Sequence, residues 1–337
     1  MWFTILWVGV FLWSIASQIE NEEREFMRFM TQYNKGYEFG SVEYQQRLGI
    51  FKNALARIDS LNEYRPYSES AVFGLNRFAD WTQDEFSHFL IRKYRQHSPK
   101  NHHKFRSSNP RHQRVKWSRL NDVPRQIDWR EKKVIGDVID QGDCGSCWAH
   151  TIADTISSMV AIRTRKWTKL SAQQILECLP EESGCEGGDL CTAVEWLYKN
   201  KILIETEHEY PDIDGSGPCK AARPDHGVRI SNYTCGDLSN KEDEMIRSLA
   251  FHGPLMAAVD ASIWKFYVNG TIDRGCGNDP NHAVQIVGYN LDGKPPYFIV
   301  RNSWGKEFGV DGYIQLSIGN NTCAIAEEVS ALTVEKA

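Results

Sequence analysis

The stretch from Gln141 to Trp148 places a cysteine on a turn, directly where a helical pattern begins. Apolar residues then recur at helical spacing, at Trp148, Ile152, Ile156 and Met159. Cys147 is therefore predicted to lie at the start of a helix, where unpaired backbone N–H groups and the helix dipole favour a thiolate over a thiol. The thiolate is the nucleophilic form of cysteine, so Cys147 is a candidate nucleophile. This role constrains the fold, because the start of the helix must face the side chains that exchange protons with the sulfur.

Two residues far downstream are candidates for those partners. His282, in the sequence Asn-His-Ala-Val, comes 135 residues after Cys147, and Asn302, in Arg-Asn-Ser-Trp-Gly, comes 155 residues after it. The order C-G-S-C-W, then His and Asn roughly 130–150 residues later, is the pattern of one peptidase family, and Asn302 falls just beyond that range. This chain resembles the papain-like cysteine peptidases over nearly everything after its apolar N-terminus.

Residues 1–17 are predicted to be a secretory signal peptide. The segment is apolar from Trp2 to Trp13 and ends in small residues, at Ser14, Ala16 and Ser17. An N-terminal anchor helix is the alternative, but an apolar run of about 15 residues is shorter than the roughly 20 that span a bilayer. No later run is apolar enough to span, so we expect export to the lysosome or out of the cell, without a membrane anchor.

The length and composition indicate a globular chain larger than one small domain, with 337 residues, of which 41% are hydrophobic and 25% charged. We expect a monomer that binds no nucleic acid. Three glycosylation acceptor sequences fit the export route, at Asn232, Asn269 and Asn320.

Nine cysteines in an exported chain indicate disulfides plus at least one odd thiol, which we expect to be Cys147. The resemblance implies three pairs: Cys144–Cys185, Cys178–Cys219 and Cys276–Cys323. Cys191 and Cys235 are left over, and either form a fourth bridge or stay as buried thiols. The Cys144-x-x-Cys147 spacing also occurs in zinc sites, but no matching second pair follows it. We expect no metal and no cofactor.

Residues 18–121 are predicted to be an inhibitory propeptide. One helical stripe is formed by residues that follow one another at separations of four, four, seven and four: Glu43, Arg47, Phe51, Ile58 and Asn62. The family's propeptide helix carries the pattern E-x3-R-x3-F-x2-N-x3-I-x3-N, which this chain matches except that Ala54 replaces an asparagine. A second family pattern, G-x-N-x-F-x-D, follows at Gly74, Asn76, Phe78 and Asp80. An ordinary amphipathic helix would explain the first pattern but not both in this order.

Residues 87–121 form a basic run at the end of that propeptide, with ten Lys or Arg, five His and no Asp or Glu. This composition predicts an extended, mobile linker that is open to proteolytic nicking. A nucleic-acid-binding arm is the alternative, and export disfavours it. Residues 1–121 carry 18 basic and 12 acidic side chains, whereas residues 122–337 carry 21 and 32. Since the two parts attract each other, we hypothesise that acid weakens their contact by protonating carboxylates of the second part.

Residues 122–337 are predicted to be an α+β peptidase domain of two lobes. Residues 147–200 are helix-rich, whereas short apolar runs bounded by Gly, Pro, Asn or Asp dominate from about residue 250. These strand candidates are Leu255–Val259, Ala283–Tyr289 and Tyr297–Val300. A cleft between a helical lobe with Cys147 and a strand lobe with His282 and Asn302 follows. The resemblance implies the same papain-like, two-lobed fold with a β-barrel-like second lobe, preceded by a mostly helical propeptide.

The resemblance implies a cysteine endopeptidase that acts on proteins and peptides. Cys147 attacks the scissile carbonyl as a thiolate paired with the His282 imidazolium, with its pKa far below the value of ~8.5 for free cysteine. Asn302 orients the imidazole, and Trp304 shields that hydrogen bond from water. The Gln141 side chain and the Cys147 N–H form the oxyanion hole. The expected partners are the substrates, the chain's own propeptide as inhibitor, and cystatin-like inhibitors.

The resemblance also assigns substrate contacts, to Gly187, Gly188, Asp189, Leu190, Ala258, Asn281, Ala283, Trp304 and Glu328. The glycines let a peptide backbone approach closely. Glu328 comes five residues after the last cysteine, where cathepsin B-like enzymes carry an acid in the S2 pocket. We hypothesise that this pocket accepts Arg or Lys as well as apolar residues; a solvated C-terminal acid is the alternative. No long His-bearing insertion of the kind that makes a dipeptidase is present, which favours endopeptidase action.

Other interpretations stay open. His150 and Thr151 stand where many relatives have Phe and Ser, and we interpret His150 as a packing or pH-tuning residue rather than the catalytic base. A catalytically silent homologue that binds or inhibits other proteins is one alternative, and the intact catalytic set argues against it. A thiol oxidoreductase that uses Cys144 and Cys147 is another, and the structural partner expected for Cys144 argues against that.

Overall fold

The computed structural model of the chain describes residues 21–90, 115–180, 184–213, 215–220 and 226–336. The predicted signal peptide and most of the basic run lie outside these residues. The helices α1 to α7 span residues 21–32, Val42–Asn62, Gln83–Phe89, Cys147–Thr164, Ala172–Cys178, Leu190–Lys199 and Glu242–Phe251. The strands β1 to β10 span Val72–Phe73, Gln126–Asp128, Val228–Cys235, Leu255–Val259, Tyr267–Asn269, Thr271–Ile272, His282–Asn290, Tyr297–Arg301, Tyr313–Ser317 and Glu328–Lys336. None of the helices in these ranges is long and apolar enough to cross a membrane.

Eight strands form a single sheet that builds the strand lobe. Their order is β3-β10-β4-β7-β8-β9-β6, and β2 also pairs with β7. The pairs are antiparallel except β6 with β9. The three predicted strands correspond to β4, β7 and β8, which lie side by side in its centre. Their apolar runs are continuous rather than alternating because both faces of this centre are covered, and β4 is buried along its whole length.

The helical lobe forms around α4, which begins at Cys147 as the periodicity predicts. Trp148, Ile152 and Ile156 are completely buried and pack with apolar residues of α5 and α6. The helix ends where Arg165 adopts a left-handed conformation (φ 59°) and donates its N–H to the Ala161 carbonyl, which closes the last turn. Cys147 is thus fixed at one end of a long, buried helix.

Residues 21–90, called here the N-terminal segment, pack on the strand lobe and share its apolar core. The apolar members of the predicted stripe, Phe51 and Ile58, are buried in α2. The polar members make specific contacts: Arg47 binds both carboxylate oxygens of Glu85 at 2.7 Å. Asn62 donates to the Phe73 carbonyl at 2.7 Å and accepts its N–H at 3.0 Å. The stripe therefore orders the residues that follow α2 as well as the helix itself.

The prediction of an extended linker over residues 87–121 is wrong at both of its ends. Residues 87–89 complete α3, whose first turn carries a reciprocal capping box between Thr82 and Glu85. Trp117–Leu120 form one 3-10 turn, where Arg119 lies 3.6 Å from Asp243 and 3.5 Å from Glu244. A helix cap at one end and an acidic partner at the other hold these residues in place.

Four disulfides occur in the structure, and all nine cysteines lie within the described residues. The three pairs that the resemblance implies are bonded, Cys144–Cys185, Cys178–Cys219 and Cys276–Cys323. The open question about the remaining two is answered by a fourth bridge, Cys191–Cys235, which joins α6 to β3. Cys147 is the one cysteine left free.

Polar side chains join the two lobes behind the cleft. The Gln285 amide of β7 donates to the hydroxyls of Thr155 at 3.3 Å and Ser158 at 3.1 Å, both on α4. Arg301, at the end of β8, forms an ion pair with Asp154 of the same helix. Because both pairs are buried or nearly so, they fix the rotation and depth at which α4 meets the sheet.

Candidate active site

Cys147, the first residue of α4, lies against β7 at the residue that follows His282, the first residue of that strand. The Cys147 sulfur accepts a hydrogen bond from the Ala283 N–H at 3.4 Å, and both Cys147 and His282 are completely buried. The helical lobe supplies the sulfur and the strand lobe supplies the imidazole, as the sequence predicts.

Asn302 holds the imidazole from the far side. Its Oδ1 lies 2.7 Å from His282 Nε2 and also accepts the Ser303 N–H at 2.8 Å. Because this oxygen is an acceptor, the proton on His282 must sit on Nε2, which leaves Nδ1 as a base. Nδ1 has no hydrogen-bond partner among the described residues. The Trp304 ring lies 4.8 Å from the imidazole and is itself buried, so it excludes water from the Asn302–His282 bond.

Gln141 is held so that one amide hydrogen stays available. Its Oε1 accepts from the Ser303 hydroxyl at 2.6 Å, and its Nε2 donates to the Cys144 carbonyl at 2.9 Å. An amide nitrogen carries two hydrogens, so one donor remains for a developing oxyanion. Sequence reasoning missed Ser303, although it sits between Asn302 and Trp304 in the same stretch and contacts both Asn302 and Gln141.

The pKa values differ from the expectation of a low-pKa thiolate, and burial is the reason. In the form with the N-terminal segment in place, burial raises the pKa of the Cys147 thiol to about 12, against the opposing effect of nearby backbone N–H groups. Burial likewise lowers the pKa of His282 to about 4, although the Asn302 hydrogen bond acts to raise it. The pair is therefore neutral in this covered form, because neither charge is hydrated.

Three of the predicted substrate contacts lie together on adjacent strands. Ala258 of β4 pairs with Ala283 of β7 on one side and with Glu328 of β10 on the other. Ala258 is completely buried, whereas Glu328 is exposed. Glu328 thus lies on β10, with β4 between it and the strand whose Ala283 contacts the Cys147 sulfur.

The predicted glycines lie beside the turn that carries Cys147. The Gly145 N–H donates to the Cys185 carbonyl at 2.8 Å, and a Cβ on Gly145 would come within 2.5 Å of that oxygen. Gly187, with φ 114°, and Gly188 are buried next to this contact. These positions leave one wall of the cleft free of side chains.

The remaining predicted contacts have structural roles in this form. Asp189 caps α6 by accepting the Thr192 N–H at 2.6 Å, and Leu190 is buried in the helical lobe. Asn281 turns its side chain to residues 261 and 262: its Oδ1 accepts the Ala261 N–H at 2.9 Å, and its Nδ2 donates to the Ser262 hydroxyl at 3.2 Å. It therefore anchors the loop after β4.

His150 lies on the Gln141 side of α4. It lines a cavity of about 460 Å³ together with Gln141, Gln173 and Asp212. Burial lowers the pKa of His150, although Asp154 and Asp212 act to raise it. Among the described residues, no group of three His, Cys, Asp or Glu side chains is arranged to hold a metal ion.

The N-terminal segment covers the strand-lobe side of the site. The rings of Phe78, Phe86 and Phe89 lie 5.5, 5.6 and 5.4 Å from the ring of Trp304. Arg77 forms an ion pair with Asp140, the residue before Gln141. An aromatic contact and a charge contact therefore flank the catalytic residues.

Comparisons with known proteins identify the family of this chain. The family profile described as "Papain family cysteine protease" matches residues 123–333. The chain belongs to the papain family of cysteine proteases. A second profile, "Cathepsin propeptide inhibitor domain (I29)", matches residues 26–86, so the N-terminal segment is a propeptide and the chain is the zymogen of a cysteine-type peptidase.

Relatives and solved structures extend over most of the chain. Human Cathepsin O is 35% identical over 293 residues, which cover 86% of this chain and 88% of the relative. Cysteine proteinase 1 of Dictyostelium discoideum is 32% identical over 327 residues and covers 92% of each chain. The structure of digestive procathepsin L2 from Tenebrio molitor has a TM-score of 0.78 at 29% identity, over 93% of this chain and 99% of its own. The predicted α+β papain-like fold with a propeptide is confirmed.

Proposed function

We propose that this protease is an endopeptidase that works through Cys147, His282 and Asn302. Cys147 gives its proton to His282 and attacks the scissile carbonyl, and His282 passes that proton to the leaving amine as the peptide bond breaks. Water, activated by His282, then hydrolyses the thioester and frees Cys147. Asn302 keeps the imidazole in the tautomer that has Nδ1 free. The observation that carries the proposal is the 2.7 Å contact between Asn302 Oδ1 and His282 Nε2, next to a sulfur already held against residue 283.

Opening of the site is part of this proposal. The thiol and the imidazole are neutral when buried, so the reactive thiolate–imidazolium pair forms once the N-terminal segment leaves and water reaches the cleft. The spare Gln141 hydrogen then stabilises the oxyanion. We also propose that the protein acts in the lysosome or outside the cell, where its four disulfides persist. Asn232, Asn269 and Asn320 are all exposed, as glycosylation requires.

The test is covalent labelling of the thiol with an epoxysuccinyl peptide. The full chain is cut within residues 91–114 and labelled at acid pH, beside uncut chain and the Cys147→Ala variant. Since the other eight cysteines are in disulfides, labelling at one site reports Cys147 alone. His282→Ala should abolish labelling, whereas His252→Ala, which changes an exposed histidine, should leave it intact. Absence of labelling in the cut wild-type chain after confirmed removal of the N-terminal segment would refute the proposal and favour the catalytically silent homologue.

The S2 proposal concerns Glu328 alone. Because its carboxylate stands beside Ala258, we expect comparable cleavage after Phe-Arg and Arg-Arg in reporter peptides. Glu328→Gln should lower kcat/KM for the Arg-Arg reporter by up to about fivefold and spare the Phe-Arg reporter, as the loss of one exposed ion pair predicts. Glu327→Gln is the matched control. Equal loss with both reporters would argue against a specificity role.

A further inference from the structure

Lys265 directly follows Trp264, whose ring contacts the His282 ring. It lies in the 3-10 turn Trp264–Phe266 of the strand lobe, and its residue is only 6% exposed. The ring of its neighbour Trp264 lies 6.0 Å from the His282 ring and 6.0 Å from the Trp304 ring. Lys265 is therefore adjacent in the chain to a ring that contacts both His282 and Trp304 on the leaving-group side of the site.

The N-terminal segment covers the Lys265 ammonium. Its Nζ donates to the Trp81 carbonyl at 2.6 Å. Burial lowers its pKa to about 8, while the carboxylates of Asp80 and Glu85 act to raise it. Within the described ranges, these two carboxylates of the N-terminal segment are the ones that act on the ammonium, and none comes from residues 115–336. Removal of the segment takes away the carbonyl and both negative charges.

What remains is a pre-positioned cation next to a bare aromatic face. The Lys265 Nζ lies 5.0 Å from the Phe266 ring, so its position is fixed partly by the strand lobe itself. Departure of Phe78, Phe86 and Phe89 exposes Trp304 at the same time. Since His282 protonates the leaving amine, the C-terminal half of a substrate must leave the scissile bond on this side.

We propose that Lys265 selects substrates with a carboxylate in the half that follows the scissile bond. The carboxylate comes from an Asp or Glu side chain or from the C-terminus of a short substrate. The inference rests on the proposed function, and it adds a specificity residue on the strand lobe. An exposed ion pair that forms with a pre-positioned lysine is expected to favour an acidic peptide over its neutral counterpart about threefold to tenfold in kcat/KM.

The experiment compares internally quenched peptides with the activated enzyme. One set shares the residues before the scissile bond, has amidated C-termini, and carries Glu, Gln or Lys at the second and third positions after the bond. Another set carries Gln there and differs only in a free or amidated C-terminus. Each is assayed with wild type, Lys265→Gln, Lys265→Glu and the control Lys199→Gln. Lys199 belongs to α6 of the helical lobe and pairs with Glu195. Titration with the epoxysuccinyl label gives the concentration of folded, active enzyme.

The expected result is a Glu-over-Gln preference, or a free-over-amidated preference, that falls to about one in Lys265→Gln. Lys265→Glu should reverse the order and favour the Lys peptide, and Lys199→Gln should match wild type. In wild type alone, the preference should shrink as salt rises. A wild-type ratio within twofold of one in both sets, or a ratio that Lys265→Gln leaves unchanged, would overturn the inference while the proposed function stands. Cleavage of none of the peptides by titrated wild type would overturn both.

Discussion

Phe86 should control how tightly the zymogen stays closed. This ring is completely buried and lies 5.4 Å from Phe78, 6.2 Å from Phe89 and 5.6 Å from Trp304. Truncation of a buried phenylalanine to alanine costs about 3–5 kcal/mol. Of these three ring contacts, only the one with Trp304 crosses to the strand lobe. If the N-terminal segment leaves as a folded unit, only that contact is lost on opening, so about a third of the cost, 1–1.7 kcal/mol, weakens closure. At 1.4 kcal/mol per factor of ten, Phe86→Ala should raise the open population about fivefold to fifteenfold.

The open population can be measured as the rate at which an epoxysuccinyl peptide labels Cys147 in the uncut chain. A rise above about a hundredfold would mean that the N-terminal segment unfolds as it leaves, because the whole 3–5 kcal/mol then counts. Phe39→Ala is the matched control, since this ring belongs to the same segment but is 71% exposed. A change in Phe86→Ala below twofold, or equal to that of Phe39→Ala, would refute the argument that the Trp304 contact holds the zymogen closed.

The catalytic site and the acid response give three further predictions. Gln141→Ala should lower kcat about a hundredfold or more in peptide cleavage, with KM little changed, since one oxyanion donor is lost. Arg77→Met should speed labelling of uncut chain by the same few-fold factor at pH 7 and pH 5. Burial acts to raise the pKa of Asp140, but Arg77 outweighs burial and holds that pKa below 3.8. The ion pair is therefore still charged at pH 5. Glu85→Gln should lower the melting temperature of the full chain equally at pH 7 and pH 5. The Arg47 hydrogen bond chiefly lowers the pKa of Glu85 to about 2 from 4.5, so this stabilisation is present above pH 4.5 and is lost as the pH falls toward 2. A difference that shrinks between pH 7 and pH 5, in either variant, would contradict the assignment.

These pKa directions limit the hypothesis that acid loosens the contact between residues 1–121 and residues 122–337. The pair between Arg77 and Asp140, which joins the two parts, stays charged at pH 5. The pair between Arg47 and Glu85, which lies within the N-terminal segment, also stays charged. If acid at that pH opens the zymogen, it must act on other carboxylates. The net charges of the two parts describe their long-range attraction, whereas the carboxylates in direct contact with arginine resist protonation because their charged forms are hydrogen-bonded.

Local signals carried most of the sequence prediction. The start of α4 at Cys147 and the central strands could be predicted because periodicity and bounding residues mark them within a few positions. The positions of His282 and Asn302 followed from resemblance; in the structure these two side chains contact each other, and the residue after His282 contacts the Cys147 sulfur. The stripe on α2 was visible, but the binding of Arg47 to Glu85 was not, since it depends on how the chain returns after the helix.

Contacts between distant segments could not be predicted in the same way. Lys265 lies 184 residues from Trp81, its hydrogen-bond partner, and nothing near it in the sequence marks it as part of the site. The low pKa expected for Cys147 came from the helix start and from pairing with His282, whereas burial of the thiol dominates in the covered form. The linker prediction failed at residues 117–120 because it rested on composition and could not include Asp243 as a partner.

The distribution of the disulfides gives the zymogen a dependence on dilution. All nine cysteines lie at residue 144 or later, and each bridge joins two residues of the peptidase domain. One cut between residues 91 and 114 therefore leaves the N-terminal segment attached by non-covalent contacts alone. Before the cut, the tether keeps the inhibitor at an effective concentration in the millimolar range; afterwards its occupancy follows the actual protein concentration. The same nicked molecule would be largely inhibited in a crowded vesicle and active once released into a large volume.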